Sequence, residues 1–203
     1  MKITSTLWTL AIAALASCHF TVTGAAELGI GTKLPKADVK LTDISDKSVS
    51  LAEAKGKNGL LVIFSCNTCP YVLANETRYK AIGELCSANG VGMILLNSNE
   101  AQRDGVESLA EMKAHAQKHG YNVSYAVDAN SELASAFGAT RTPHVFLFNK
   151  DQDLVYRGAI DDSVTDATKV EKPYLADAIK AMVAGADIPV KETKSIGCSI
   201  KTK

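Results

Sequence analysis

The stretch Leu60–Tyr71, reading Leu-Leu-Val-Ile-Phe-Ser-Cys-Asn-Thr-Cys-Pro-Tyr, restricts the fold more than any other part of the chain. Its first five residues are apolar without alternation, the pattern of a short strand covered on both faces. Pro70 stands where the first turn of a helix would begin, a position that tolerates a missing N–H. The order is therefore strand, two cysteines with two residues between them, then helix. Cys66 falls just before the helix and Cys69 at its start. A thiolate there faces unpaired backbone N–H groups and the positive end of the helix dipole, so its pKa falls. The expected result is a nucleophilic Cys66, with Cys69 placed to close a disulfide behind it. A structural disulfide and half of a zinc site are the rival readings. Zinc needs two more ligands, and for want of a second ligand pair that reading is set aside.

The chain has 203 residues, enough for one domain with a substantial core. Lys+Arg and Asp+Glu balance at 22 each, so no strong field points to nucleic acid or anionic lipid. The beginning reads as an export signal: Lys2 supplies a small positive charge, and the apolar run Leu7–Ala16 is too short to span a bilayer. Two processing sites compete. Gly24-Ala25-Ala26 suits cleavage before Glu27, whereas Leu15-Ala16-Ser17-Cys18 resembles a lipobox, which would leave a lipid anchor on Cys18. The expected division is a signal peptide over 1–26, a domain over 27–190 and a basic tail over 191–203 carrying Cys198. Either route leads to the periplasm or cell envelope, where a disulfide can persist.

Downstream, Asp38–Ile44 and Ser48–Leu51 read as short strands preceding the central one. After Pro70, Val72, Tyr79, Ile82, Leu85 and Cys86 recur at helical spacing as far as Asn89-Gly90. Val91–Leu96 is a second buried strand, ending in Asn97-Ser98-Asn99 at the edge where open α/β sheets bind ligands. Leu109, Met112 and Ala116 mark a helix stopped by Gly120, and Tyr125–Val127 a strand. A short helix from Asn130 to Gly138 comes next. Thr142-Pro143 precedes a strand over His144–Phe148, which pairs back with Leu154–Arg157, and Pro173 opens a last helix ending at Gly185. This is an α/β domain with a mixed central sheet flanked by helices and an N-terminal β extension.

With these residues in place, the chain resembles the thioredoxin fold, and more narrowly the exported peroxiredoxin-like (redoxin) proteins within it. The matching parts are Cys66-Asn67-Thr68-Cys69-Pro70-Tyr71, Thr142-Pro143 at a strand entrance, and the closing segment Glu192–Lys201. The resemblance implies Cys66 as attacking thiol, Cys69 as resolving thiol and a cis Pro143 beside the Cys66 sulfur. The backbone of Thr142 would then pair with a partner polypeptide as a strand. No cofactor is implied. Two departures stand out. Thr68 occupies a position that is commonly His in this branch, which favours a less oxidising pair. Leu60 stands where thioredoxins bury an acid; Glu76 is the candidate to act on Cys69 through water instead, but a solvated helix glutamate is the favoured reading.

Three functions follow as expectations. The first is an exported thiol–disulfide oxidoreductase acting on a disulfide- or dithiol-bearing protein, with an external electron donor. The second is a thiol peroxidase, because Cys69-Pro70 matches the peroxide-reducing cysteine of peroxiredoxins; Cys66 takes the place of their threonine and weakens the match. The third is a copper carrier using Cys66, Cys69 and His144. Cys198 is either a structural thiol, paired with Cys86 or free, or a mobile third cysteine. Cys86 itself reads as a buried inert thiol, His115 and His119 as surface positions, and Arg141 as a solvated loop residue.

Overall fold

A computed structural model describes residues 26–203; residues 1–25, with the expected export signal and Cys18, lie outside the described residues. The elements are β1 (Leu41–Asp43), β2 (Ser48–Val49), α1 (Leu51–Ala54), β3 (Gly59–Ser65), α2 (Pro70–Ala88), β4 (Val91–Asn97), α3 (Leu109–His119), β5 (Ser124–Val127), α4 (Glu132–Phe137), β6 (Arg141–Thr142), β7 (His144–Asn149), β8 (Leu154–Gly158), α5 (Tyr174–Ala184) and β9 (Cys198–Ser199). Seven strands form one sheet in the order β2-β1-β5-β4-β3-β7-β8. β3 runs parallel to β4, and β4 to β5; β7 is antiparallel to β3 in the register Phe64↔His144, and β8 is antiparallel to β7. The mixed sheet, the flanking helices and the N-terminal β extension are those the residue pattern predicts. One difference is local: Leu51 begins a helical turn instead of ending a strand, because Ser50 and Glu53 form a reciprocal capping box there.

Alternation along the strands sorts the core into two layers. Leu61, Ile63, Leu95, Val145 and Leu147 face Val72, Tyr79, Met112, Leu175 and Ile179 of the helices on one side. Leu60, Val62, Phe64, Phe146 and Phe148 face Leu51, Leu133 and Phe137 on the other. Leu60 thus fills an apolar position, as its lack of charge requires.

Helix α2 is tied to the loop after β8 by a buried ion pair. Arg78 Nε lies 2.8 Å from Asp161 Oδ2, and both side chains are less than a tenth exposed. The guanidinium also donates to the Ser163 carbonyl and to Asn75 Oδ1. Asp161 therefore anchors this loop to α2. Asp161→Ala strands the buried guanidinium, and a loss of about 3–5 kcal/mol is expected in urea unfolding.

Residues 191–203 do not hang free as a tail. The backbone N–H of Thr193 donates to the Arg157 carbonyl, Ile200 to Thr140 and Ala101 to Lys201, and Ile200 is buried.

Candidate active site

β3 delivers the chain to Cys66, and Cys69 is the N-cap residue of α2, with Pro70 in the first turn. β6 ends at Thr142, whose bond to Pro143 is cis. Thr142 meets both sulfurs: Cys66 Sγ is 3.3 Å from its Oγ1 and Cys69 Sγ 3.2 Å from its carbonyl oxygen. All four cysteines of the described residues are reduced, and Cys66 and Cys69 are both buried. The four residues chosen from sequence, Cys66, Cys69, Thr142 and Pro143, thus stand together.

Cys198 joins them. Its Sγ is 2.6 Å from Cys69 Sγ, and it is the most exposed of the three sulfur-bearing residues. It arrives on β9, which pairs antiparallel with β6 in the register Thr142↔Cys198. The slot that the thioredoxin-like reading reserves for a partner strand is therefore filled by the protein's own C-terminus. Gly197 makes the approach possible: a Cβ there would lie 2.0 Å from the Thr142 carbonyl oxygen. The Arg141 guanidinium donates to the Gly197 carbonyl at 3.0 Å and so holds this strap. Pairing of Cys198 with Cys86 is excluded by distance, since Cys86 lies seventeen residues along α2 from Cys69, about 25 Å at helical rise. Burial pushes the Cys86 thiol up to about 12, as an inert thiol requires.

The protons divide unequally among the sulfurs. Cys69 is pushed down to about 4, because the Cys66 thiol donates to it, joined by the Cys198 thiol and the backbone N–H groups of Val72 and Cys198, all outweighing burial. Cys66 is pushed strongly up by that same bond to Cys69, by burial and by the negative charge of Glu107. Burial and the Cys69 sulfur raise Cys198 to about 11. The sequence pattern favours Cys66 as the ionised sulfur, whereas the direction of these shifts favours Cys69. Cys69 is the N-cap residue of α2, at the positive end of the helix dipole, while Cys66 feels a buried carboxylate.

That carboxylate escaped the sequence reading. Glu107, fully buried, accepts from the backbone N–H of Asn67 at 2.9 Å, from Thr68 Oγ1 at 3.0 Å and from Asn97 Nδ2 at 2.6 Å. Tyr125 Oη donates to Asn67 Oδ1 at 2.9 Å. Thr68 is thus an anchor of the loop between the cysteines. Asn97 and Asn99 at the end of β4 are spent on Glu107 and on the Lys201 N–H of the strap.

Two secondary candidates are displaced. His144 shares the sheet face of Phe146, not that of Cys66, because alternation turns it to the opposite layer. Its Nε2 bonds Glu27 Oε1 at 2.9 Å, so the copper set of Cys66, Cys69 and His144 is not assembled. Glu76 is buried, neither solvated nor free to act on Cys69: His115, His119 and Tyr121 all bond its carboxylate.

The redoxin family model matches residues 30–174. Solved structures of the same shape include a hypothetical protein from Sinorhizobium meliloti 1021, 34% identical with a TM-score of 0.78, the match covering 88% of this chain and 97% of that one. An uncharacterized conserved protein from Geobacillus kaustophilus is 32% identical with a TM-score of 0.80, over 86% of this chain and 93% of that one. A secreted Mycobacterium tuberculosis disulfide oxidoreductase is 15% identical with a TM-score of 0.51, over 74% and 97%, a likeness of fold. No curated protein matches the chain. The family match spans most of the domain and takes in the cysteine pair and Thr142-Pro143, so the chain belongs to the redoxin family and is a thiol redox protein of thioredoxin fold.

Proposed function

We propose that the protein is an exported thiol–disulfide oxidoreductase in which Cys69 attacks, Cys66 resolves and Cys198 is a third exchanging thiol. The observation that carries this is the gathering of three sulfurs at Thr142-Pro143, and the lowered pKa of Cys69 supports it as the attacking thiol. The strap lifts from β6, and a partner strand takes its place on the Thr142 backbone. Cys69 forms a bond to one sulfur of the partner disulfide, and the other sulfur leaves as a thiolate and takes a proton from water. Cys66 then bonds to Cys69, and the partner sulfur leaves with the proton Cys66 gives up. Two electrons have passed to the partner, and an external dithiol donor returns them to the Cys66–Cys69 disulfide. Within the free protein, Cys198 stands nearer to Cys69 than any partner and competes for the same bond. Residues 1–26 would carry the chain to the periplasm or cell envelope, with an anchor on Cys18 if the lipobox is used.

Peroxide reduction is the second reading, favoured by the thiolate character of Cys69 directly before Pro70. Cys69 would attack one peroxide oxygen, the other leaving as water, and Cys66 or Cys198 would condense with the sulfenic acid. Insulin-disulfide reduction and hydrogen peroxide consumption, each driven by dithiothreitol, separate the two. Insulin reduction without peroxide turnover establishes exchange, and peroxide turnover alone reverses the order.

The disposition of the sulfurs also predicts the product of mild oxidation. Peptide mapping of diamide-treated protein should recover Cys69 linked to both Cys66 and Cys198, with Cys86 free. A Cys66–Cys198 peptide in place of the Cys69 links would contradict the assigned centre.

A further inference from the structure

Away from the thiols, Glu76 of α2 faces His115 and His119 of α3. The two histidines are four residues apart and so lie one turn apart on one helix face. They form an H-x-x-x-H pair, against the expectation that no second ligand pair follows the cysteines. None of the three side chains is more than a quarter exposed, and Glu76 is the deepest. His115 Nε2 faces Glu76 Oε1 and His119 Nδ1 faces Oε2, and the three donor atoms lie within 4.8 Å of one another. The imidazole rings stack with centroids 4.4 Å apart. Two imidazoliums held that way would repel, and one carboxylate neutralises only one of them.

We propose that Glu76, His115 and His119 form a three-ligand site for a divalent zinc-class ion, its fourth position open to water. Two imidazole nitrogens and one carboxylate oxygen suit zinc. Magnesium and calcium take mainly oxygen ligands in larger number, and Cu(I) prefers thiolate. On binding, each ring directs the lone pair of its inward nitrogen to the metal and carries its N–H on the outward one. Glu76 supplies the single negative charge. The carboxylate is already oriented from outside the ligand set: Tyr121 Oη donates to Glu76 Oε1 at 2.9 Å, the kind of outer contact that fixes a metal-binding group. Because the ligands come from two helices, the ion would clamp α3 to α2. This site is independent of the thiol chemistry proposed above.

Zinc titration calorimetry on the full chain carrying Cys66→Ser, Cys69→Ser and Cys198→Ser removes competing thiolates. One zinc per chain is expected at neutral pH, abolished by His115→Ala or by His119→Ala and weakened about 10–100-fold by Tyr121→Phe. Circular dichroism in the presence of EDTA confirms that each variant is folded. Cobalt(II) added to the chain with its native cysteines gives a second readout: visible d–d bands at one equivalent without thiolate-to-cobalt charge transfer, lost in the histidine variants. A folded protein that takes up no zinc, or binding that survives both histidine substitutions, or cobalt bands of purely thiolate character, overturns the proposal and leaves a hydrogen-bonded Glu–His–His network.

Discussion

Cys69→Ser protein is expected to reduce insulin disulfides no faster than dithiothreitol alone, while Cys66→Ser protein still attacks and accumulates as a mixed disulfide through Cys69. The reason is the division of protons at the site. An unperturbed cysteine, with a pKa near 8.5, is only about 3% ionised at pH 7. Cys69, pushed down to about 4, would be ionised at pH 7, raising its thiolate population about 30-fold. Cys66, pushed up, has the opposite bias and becomes reactive only when Cys69 is consumed in a bond. Thiolate absorbance near 240 nm should therefore titrate near pH 4 and vanish in Cys69→Ser protein.

Linkage gives the same assignment a stability readout. The folded pKa of Cys69 lies below its unfolded value, so its contribution is complete above about pH 8.5 and is lost as pH falls toward 4. Cys66 lies above its unfolded value, so its effect is to lower stability as pH rises beyond about 8.5. Reduced protein should therefore exceed the Cys69→Ser variant in stability by more at pH 8 than at pH 5. A difference that grows instead toward acid would assign the thiolate to another sulfur.

Glu107→Ala should be as damaging as Asp161→Ala although it touches no sulfur. It removes the common acceptor of the Asn67 N–H, the Thr68 hydroxyl and the Asn97 amide at a fully buried site. Hydrogen bonds to a charged group contribute about 1.5–3 kcal/mol each, and the donors left behind have no water to turn to. A loss on the order of 3–5 kcal/mol is expected in urea unfolding, less than the summed bonds because the loop relaxes. The same variant loses a charge that adds to the effect of the Cys69 bond and burial on Cys66, so the Cys66 pKa should fall somewhat even as the loop loosens. Glu107→Gln keeps an acceptor and should recover part of the stability but not the proton distribution. If alkylation titration finds Cys66 unchanged in both variants, Glu107 supports the loop without setting the proton balance.

The parts legible in the sequence were those with local periodicity. β3, the cysteine pair and α2 follow one another within one stretch, and each has its own pattern. The strand β7 was equally plain, and the alternation that buries Phe146 and Phe148 places His144 on their face, against the copper reading. Glu107 was opaque because its partners at Asn67 and Thr68 lie some forty residues away, and nothing in a polar loop shows which carboxylate will be buried. The histidine pair had visible spacing, yet its third member belongs to another helix, and without it two solvated positions were the simpler reading. β9 is two residues long, too short for any pattern, and its place is set by the backbone slot on β6 and the missing side chain of Gly197.

That missing side chain sets a threshold for the protein's clients. The strap is covalently part of the chain, so the effective concentration of its own strand at the β6 edge is on the order of millimolar, as for short flexible tethers. A polypeptide offering only backbone pairing loses that competition at ordinary cellular levels. One that adds side-chain contacts, or a disulfide to be exchanged, displaces the occupant. If exchange proceeds as proposed, the Gly197–Ser199 strap would select for partners that bring more than a strand.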